Sequence, residues 1–229
     1  MDFSSIISLE ELATNSLRRH ANYCFLAPRS LAKRVDPTTL IPAEVERMQL
    51  FKFEADRERF LVAHGLKRII LSNILECSPQ EIPLVFGPGN KPYLRDGQCH
   101  FNLSHSGNWI VMMISCETEV GIDVEQPNAS GEVPFSMVSH PNDDLHSTLK
   151  TAEQQFYASW TLKEAMSKWD GRGLDRPFNE IRLEATSGNT YRGYHEGTIW
   201  HARHATLGDG AHIAYASANP LQVFHLAVS

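Results

Sequence analysis

The sequence predicts an α+β protein of two halves, each supplying a long helix followed by antiparallel strands. Three observations carry this. Residues 55–75 place apolar side chains at helical spacing; residues 99–125 form short apolar runs broken by polar turns; and residues 151–228 repeat the order, one helix and then strands.

Taken in order, residues 22–27 (NYCFLA) read as a strand. Pro42 opens a helix at a first turn, where its missing N–H costs nothing. In EVERMQLFKFEADRERFLVAHGLKRIILSNIL, Leu50, Phe53, Phe60, Val62, Leu66, Ile70 and Ile74 recur at helical spacing and give two helices, the second from about Ala55 to Leu75. SPQEI and GPGN are rich in breakers and bracket a short strand at Pro83–Phe86. From Cys99 the pattern is β: FNLSHS, a turn at Gly107–Asn108, WIVMMIS, a polar turn at Glu117–Glu119, then GIDVE. Residues 126–150, rich in Pro, Asn and Ser, read as a mobile loop, with or without a short helix. A helix follows from about Thr151 to Trp169, with Glu153 in its first turn and Gly171 as its stop. The tail reads as antiparallel strands broken by SGN and GDG, with the His201–His204 pair as an exposed polar turn.

The 229 residues suffice for one large domain or two halves with a real core, and 42% hydrophobic with 21% charged residues is ordinary for a globular protein. No apolar run has membrane-spanning length, and MDFSSIISLEELATN lacks the basic and apolar regions of a secretory signal. Cys24, Cys77, Cys99 and Cys116 are widely spaced without a CxxC pair, which argues against a zinc site or a disulfide scaffold and for the cytoplasm. Net charge is −6, with 11 basic and 9 acidic residues in 1–68 and 10 against 18 in the remainder. That pattern does not indicate nucleic-acid binding, but it admits a local anion site in the first third.

GIDVE raises the functional question. In a strand, Ile122 and Val124 face one way and Asp123 and Glu125 the other, so two carboxylates share a side. An amphipathic edge strand with a solvated acidic face explains this; so does a divalent cation held by both acids. In WTLKEAMSKWDGRGL, Trp160, Glu164 and Lys168 share a helix face. The plain explanation is a surface pair worth roughly 0.2–0.5 kcal/mol. Yet the stripe runs back to Phe156, and a Glu and Lys emerging from an aromatic face need partners that a metal and a phosphate would supply. FNLSHSG sets His105 between Ser104 and Ser106 at a strand end, and GNKP sets Lys91 in a tight turn. Singly, these read as a structural histidine, turn serines and a solubilising lysine.

Together and in this order, FNLSHSG, GIDVE and WTLKEA…KWDGRGL resemble the 4′-phosphopantetheinyl transferases of the surfactin-synthetase-activating type. The resemblance runs from about Ile41 to Phe178 and includes LIPAEVERMQLFKFEADRERFL and GNKPYL. It implies a monomer of two similar α+β halves with pseudo-twofold symmetry and the active site in the cleft between them. Residues 1–120 would carry the coenzyme A phosphate contacts; residues 121–229 would carry the metal ligands and a carrier-docking loop at 126–150. The implied reaction moves the phosphopantetheine arm of coenzyme A to a serine of an apo acyl or peptidyl carrier protein and leaves adenosine 3′,5′-bisphosphate. By motif, Asp123, Glu125 and Glu164 match ligands of Mg²⁺ (or Mn²⁺), and Lys168 the lysine that contacts the pyrophosphate. Lys91, Ser104 and His105, with Arg47 and Arg59 on a looser alignment, match the coenzyme A contacts. Glu164 is the first candidate base for the carrier serine, and Lys168 the group that stabilises or protonates the leaving group.

One departure stands out. Some relatives carry a glutamate in the loop after the acidic strand; the corresponding stretch here is SHPNDD, with Asn142 at that place. Either Asp143 or Asp144 substitutes, or Glu164 does the work. Two other classes compete: a metal-dependent phosphohydrolase or nuclease, which the missing basic stripe disfavours, and a non-catalytic coenzyme A-binding module.

Overall fold

The structure, a computed structural model, describes residues 1–14, 17–18, 20–87, 91–127, 135–169, 171 and 177–229. A short strand β1 (Ile6–Ile7) and helix α1 (Leu9–Thr14) lead into β2 (Asn22–Pro28). Pro42 begins α2 (Pro42–Gln49), and α3 (Glu54–Leu75) ends on Glu76, whose φ of 54° is left-handed. Phe60, Val62, Leu66, Ile70 and Ile74 are buried as their spacing predicts. Leu50 and Phe53 are not: they fall in the link between the two helices, where the helix itself is interrupted, and are 85% and 62% exposed. Glu44 fastens α2 to α3 by pairing with His64 (3.1 Å), Lys67 (2.8 Å) and Arg68. Burial opposes its charge, but bonds from His64, Arg68 and Lys67 outweigh it and hold this carboxyl well below the usual range.

Beyond α3 come β3 (Leu84–Phe86), β4 (Pro92–Leu94), β5 (His100–Ser106), β6 (Trp109–Ser115) and β7 (Val120–Glu125). After the loop stand α4 (Ala152–Trp169), β8 (Arg182–Ala185), β9 (Thr190–His195), β10 (Thr198–Thr206), β11 (His212–Ser217) and β12 (Val223–Val228). Two five-stranded sheets result, ordered β1-β12-β2-β6-β5 and β7-β11-β10-β9-β8; β3 and β4 form a separate ribbon. The class is α+β, with α3 against the first sheet and α4 against the second.

The tail departs from a simple run of antiparallel strands. β12 crosses back and lies parallel to both β1 and β2, inside the first sheet. Local alternation marks it as a strand but is silent on its partner. Gly121 also gains a reason: a Cβ there would lie 1.9 Å from the carbonyl oxygen of Ala165 and 2.6 Å from the amide of Trp169. Only glycine lets β7 approach the α4 backbone so closely.

His204 is not in an exposed turn, as its pairing with His201 suggests, but buried in β10, with Nε2 3.0 Å from Nδ1 of the equally buried His212. Desolvation pushes the pKa of His204 down to about 3 and that of His212 to about 4. Both stay neutral in the fold, whereas the unfolded chain protonates them below about pH 6.5. Their contribution is therefore intact above that value and is lost as pH falls from about 6.5 towards 4, by a few kcal/mol at the acid end. The midpoint of thermal unfolding should fall across this window, and less steeply in His204→Gln/His212→Gln; equal slopes would mean that the pair is not responsible.

Candidate active site

The two sheets meet edge to edge at β5 and β7. Asn102, Ser104 and Ser106 alternate on one face of β5 and reach β7 as a set. The Asn102 side-chain oxygen accepts from the Ile122 amide (2.8 Å). Ser104 Oγ donates to Asp123 Oδ1 and Ser106 Oγ to Glu125 Oε2, each at 2.8 Å. Serines that read as turn residues thus fix both acids; Asn102, which carried no such reading, is detectable by its period-two spacing from Ser104 and Ser106.

The third element is α4. One turn separates Glu164 from Lys168, and both point at β7. Lys168 Nζ donates to Asp123 Oδ1 (2.7 Å) and Ser104 Oγ (3.1 Å) and lies 3.6 Å from Glu164 Oε1. Asp123 is only 1% exposed. Burial raises its pKa against the pull of Lys168; burial and then the Asp123 charge raise that of Glu125; burial also raises that of Glu164. Lys168 is raised as well, for a different reason: desolvation lowers its pKa, but the charges of Asp123, Glu164 and Glu125 overcome this.

Three carboxylates therefore share one ammonium. Asp123 Oδ2 and Glu164 Oε2 are buried with no hydrogen-bond partner among the described residues. An orphaned carboxylate oxygen in a protein interior is costly, and two of them facing a negative excess suit an added cation. As the side chains stand, no three His, Cys, Asp or Glu groups among the described residues are gathered closely enough to hold a metal. The donor chemistry fits a hard cation; Lys168 now takes one oxygen of the pair.

Next to Ser104, His105 turns to the opposite face of β5 and is exposed. Desolvation by its surroundings, then the Arg59 and Lys168 charges, lower its pKa. Arg59 pairs with Asp56 and donates to the Gly107 carbonyl (3.0 Å), so it sits over the β5–β6 turn beside His105. That turn needs its glycine: φ is +55°, and a Cβ would overlap the Gln126 amide, which accepts from the Asn108 N–H (2.8 Å). Arg47 is not brought to this corner by any contact; it is exposed on α2, with no side-chain hydrogen bond or ion pair among the described residues. Lys91 lies at the other end of β7, where Nζ donates to Glu119 (2.9 Å), Val120 O (3.3 Å) and Trp169 O (2.6 Å), closing the C-terminus of α4.

In the loop, Asn142 is exposed, and Asp143 is committed elsewhere. Its Oδ2 accepts from buried Lys163 (2.6 Å) and the His140 amide (2.9 Å), and its Oδ1 from the Leu183 amide (2.7 Å). Asp144 is exposed and pairs through its backbone with Leu183 and Ala185. Residues 128–134, including Val133, lie outside the described residues.

Comparison with known proteins agrees with this architecture. The family model for the N-terminal part of 4′-phosphopantetheinyl transferase matches residues 34–117, and that for the 4′-phosphopantetheinyl transferase superfamily matches residues 119–216, so the boundary falls in the crossover between β6 and β7. The chain is 31% identical over 157 residues to the 4′-phosphopantetheinyl transferase HetI of Nostoc sp., covering 65% of this chain and 66% of that one. It is 28% identical over 146 residues to the 4′-phosphopantetheinyl transferase Sfp of Bacillus subtilis, covering 62% and 65%, and 31% identical over 150 residues to a phosphopantetheinyl transferase of Thraustochytrium sp., covering 57% and 52%. The chain thus spans about half to two thirds of the length of the curated relatives it matches. With two consecutive models matching from residue 34 to residue 216 and only Thr118 between them, the chain belongs to the 4′-phosphopantetheinyl transferase superfamily.

Proposed function

We propose that this chain transfers the 4′-phosphopantetheine arm of coenzyme A to a serine of an apo acyl or peptidyl carrier protein, releasing adenosine 3′,5′-bisphosphate. The observation that carries the reading is the junction of Asp123, Glu125, Glu164 and Lys168 where the two sheets meet, in a chain of this superfamily. Asp123, Glu125 and Glu164 would hold Mg²⁺, or Mn²⁺ in its place, and when bound the ion neutralises charge on the pyrophosphate.

The chain's own groups have distinct tasks. Lys168, kept protonated by its three acids, offers an N–H donor to the leaving phosphate as the carrier serine oxygen bonds to the β-phosphorus and the bond to the α-phosphate side breaks. Glu164, its pKa already raised by burial, is the group to take the serine proton at its orphaned Oε2. His105 and Arg59, at the rim of the first sheet, would hold the 3′-phosphate end of coenzyme A. Phe135 and Met137, 42% and 64% exposed in the loop beside α4, offer an apolar landing for the carrier, with Phe135 resting 6.3 Å from the Phe156 ring.

The test is incubation with coenzyme A, Mg²⁺ and several apo carrier proteins, followed by intact mass. A carrier that gains one phosphopantetheine arm supports the reading; none modified by the folded protein counts against it. His105→Ala should raise the KM for coenzyme A ~10–100-fold, the value of one charge-assisted bond, while barely changing that for dephospho-coenzyme A. Equal weakening of both donors would move His105 from the 3′-phosphate to the pyrophosphate or the loop.

A further inference from the structure

The β5–β6 ladder begins where His100 faces Ser115. Cys99 precedes β5 and Cys116 follows β6, so continuing that register by one residue sets them opposite one another just beyond the end of the ladder. Opposed residues of an antiparallel pair have Cα atoms about 4.5–5.5 Å apart and side chains on the same face. A disulfide requires a Cα separation of about 4.4–6.8 Å, the range that opposed positions of such a register span. Both cysteines are free thiols; Cys99 is buried and Cys116 partly open to solvent. The sequence spacing hides this pair, because a hairpin rather than a short motif brings the two together.

The environment makes the two sulfurs unequal. A hydrogen bond from the Cys99 thiol, with help from the backbone N–H of His20 and the nearby His20 and His100 rings, brings the Cys116 pKa down to about 6 against its partial burial. The same bond, and then burial, push Cys99 up. Cys116 is thus the more acidic and the more accessible of the two sulfurs and Cys99 the buried thiol beside it, the arrangement of an attacking and a resolving cysteine.

We propose that Cys99 and Cys116 form an oxidisable dithiol site that closes to an intrachain disulfide on reaction with a hydroperoxide. The Cys116 thiolate attacks the peroxide oxygen; the O–O bond breaks, the sulfur becomes a sulfenic acid, and hydroxide leaves to be protonated by solvent. The Cys99 sulfur then attacks the Cys116 sulfur, its proton leaves with the displaced hydroxyl as water, and the S–S bond forms. Two thiols lose two electrons in all, and hydrogen peroxide becomes two waters.

The site lies at the crossover between the halves. Residues 116–119 join β6 to β7, and Glu119 within them accepts from Lys91 (2.9 Å) and pairs with His100 (2.9 Å). Lys91 in turn holds the last carbonyl of α4 at Trp169 (2.6 Å), next to Lys168. Closing the disulfide would pin this crossover to the start of β5. This thiol chemistry is independent of the transfer reaction.

The test uses the full reduced chain at pH 7 with one equivalent of hydrogen peroxide. Intact mass should fall by two hydrogens, and non-reducing proteolysis should yield one cross-linked peptide containing Cys99 and Cys116. In Cys99→Ser the reaction should stop at a sulfenic acid on Cys116 that dimedone captures; in Cys116→Ser neither product should form. With iodoacetamide, Cys116 of the unmodified protein should react about ten-fold faster than Cys77, whose pKa burial raises. The wild-type peptide map is independent of how either variant folds. A disulfide involving Cys24 or Cys77, over-oxidation of Cys116 with Cys99 left free, or Cys77 reacting first would each overturn the proposal.

Discussion

Replacing Asp123 by alanine is expected to lower the transfer rate ~10²–10³-fold, a loss of ~3–4 kcal/mol of transition-state stabilisation, while leaving the protein as stable as before. The first half follows from position: one Asp123 oxygen holds Ser104 and Lys168, and the other is buried without a partner, facing the place where a cation and the pyrophosphate would meet. The second half follows from sign. A carboxyl whose pKa is raised by folding takes up protons more readily in the native state, so its ionised form at neutral pH works against the fold. Lys168 keeps Glu164 at 3.6 Å when Asp123 is removed, so no buried ammonium is stranded and the loss falls on chemistry rather than on stability. Glu125→Ala should behave alike, since burial and the Asp123 charge raise its pKa too. Turnover measured at limiting Mg²⁺, beside a thermal melt, checks both. Near wild-type turnover in either variant would take that acid out of the cation site.

Asp143→Ala should show the opposite balance: a loss of about 3–5 kcal/mol of stability, the usual consequence of removing one partner of a buried ion pair. Lys163 is fully buried, and without Asp143 its ammonium keeps only the Val138 carbonyl, at 2.7 Å. The same carboxylate also takes the His140 and Leu183 amides, so the loop loses its anchor to β8. This separates the candidate bases. Glu164→Gln should nearly abolish transfer with a modest change in melting, whereas Asp143→Asn, assayed at a temperature where it is folded, should slow transfer only modestly. Metal affinity is measured alongside, because Glu164 serves both roles. If Asp143→Asn lost as much rate as Glu164→Gln with melting and metal affinity unchanged, the base would lie in the loop.

Periodicity made much of this readable in advance. Period two put Asp123 and Glu125 on one side of β7, and the four-residue repeat put Glu164 and Lys168 on one side of α4; both are local rules that the packing did not disturb. What escaped were partnerships between segments far apart in sequence. Lys91 in GNKP gave no sign that it would close the end of α4, nor Asp143 that its neighbour in space is Lys163. His204 resembled an exposed turn residue because a histidine beside an alternating strand carries no mark of burial. Leu50 and Phe53 kept the helical phase across a break between two helices, so their spacing pointed to a core they do not enter.

The return of β12 into the first sheet makes the halves unequal as folding units. β12 fills the interval between β1 and β2, so the first sheet can be completed only after the second half has been made and the chain has come back. A chain halted near residue 120 would display β2 as an open edge, with Cys24 and Leu26, which belong in the apolar layer between the sheets, left uncovered. Pairings of such long sequence separation are closed late and slowly, because the loop entropy is lost before the contacts repay it. Although the candidate active site is a junction of the two sheets, cutting the chain there would not yield two domains: the second part of the chain carries the strand that finishes the first sheet.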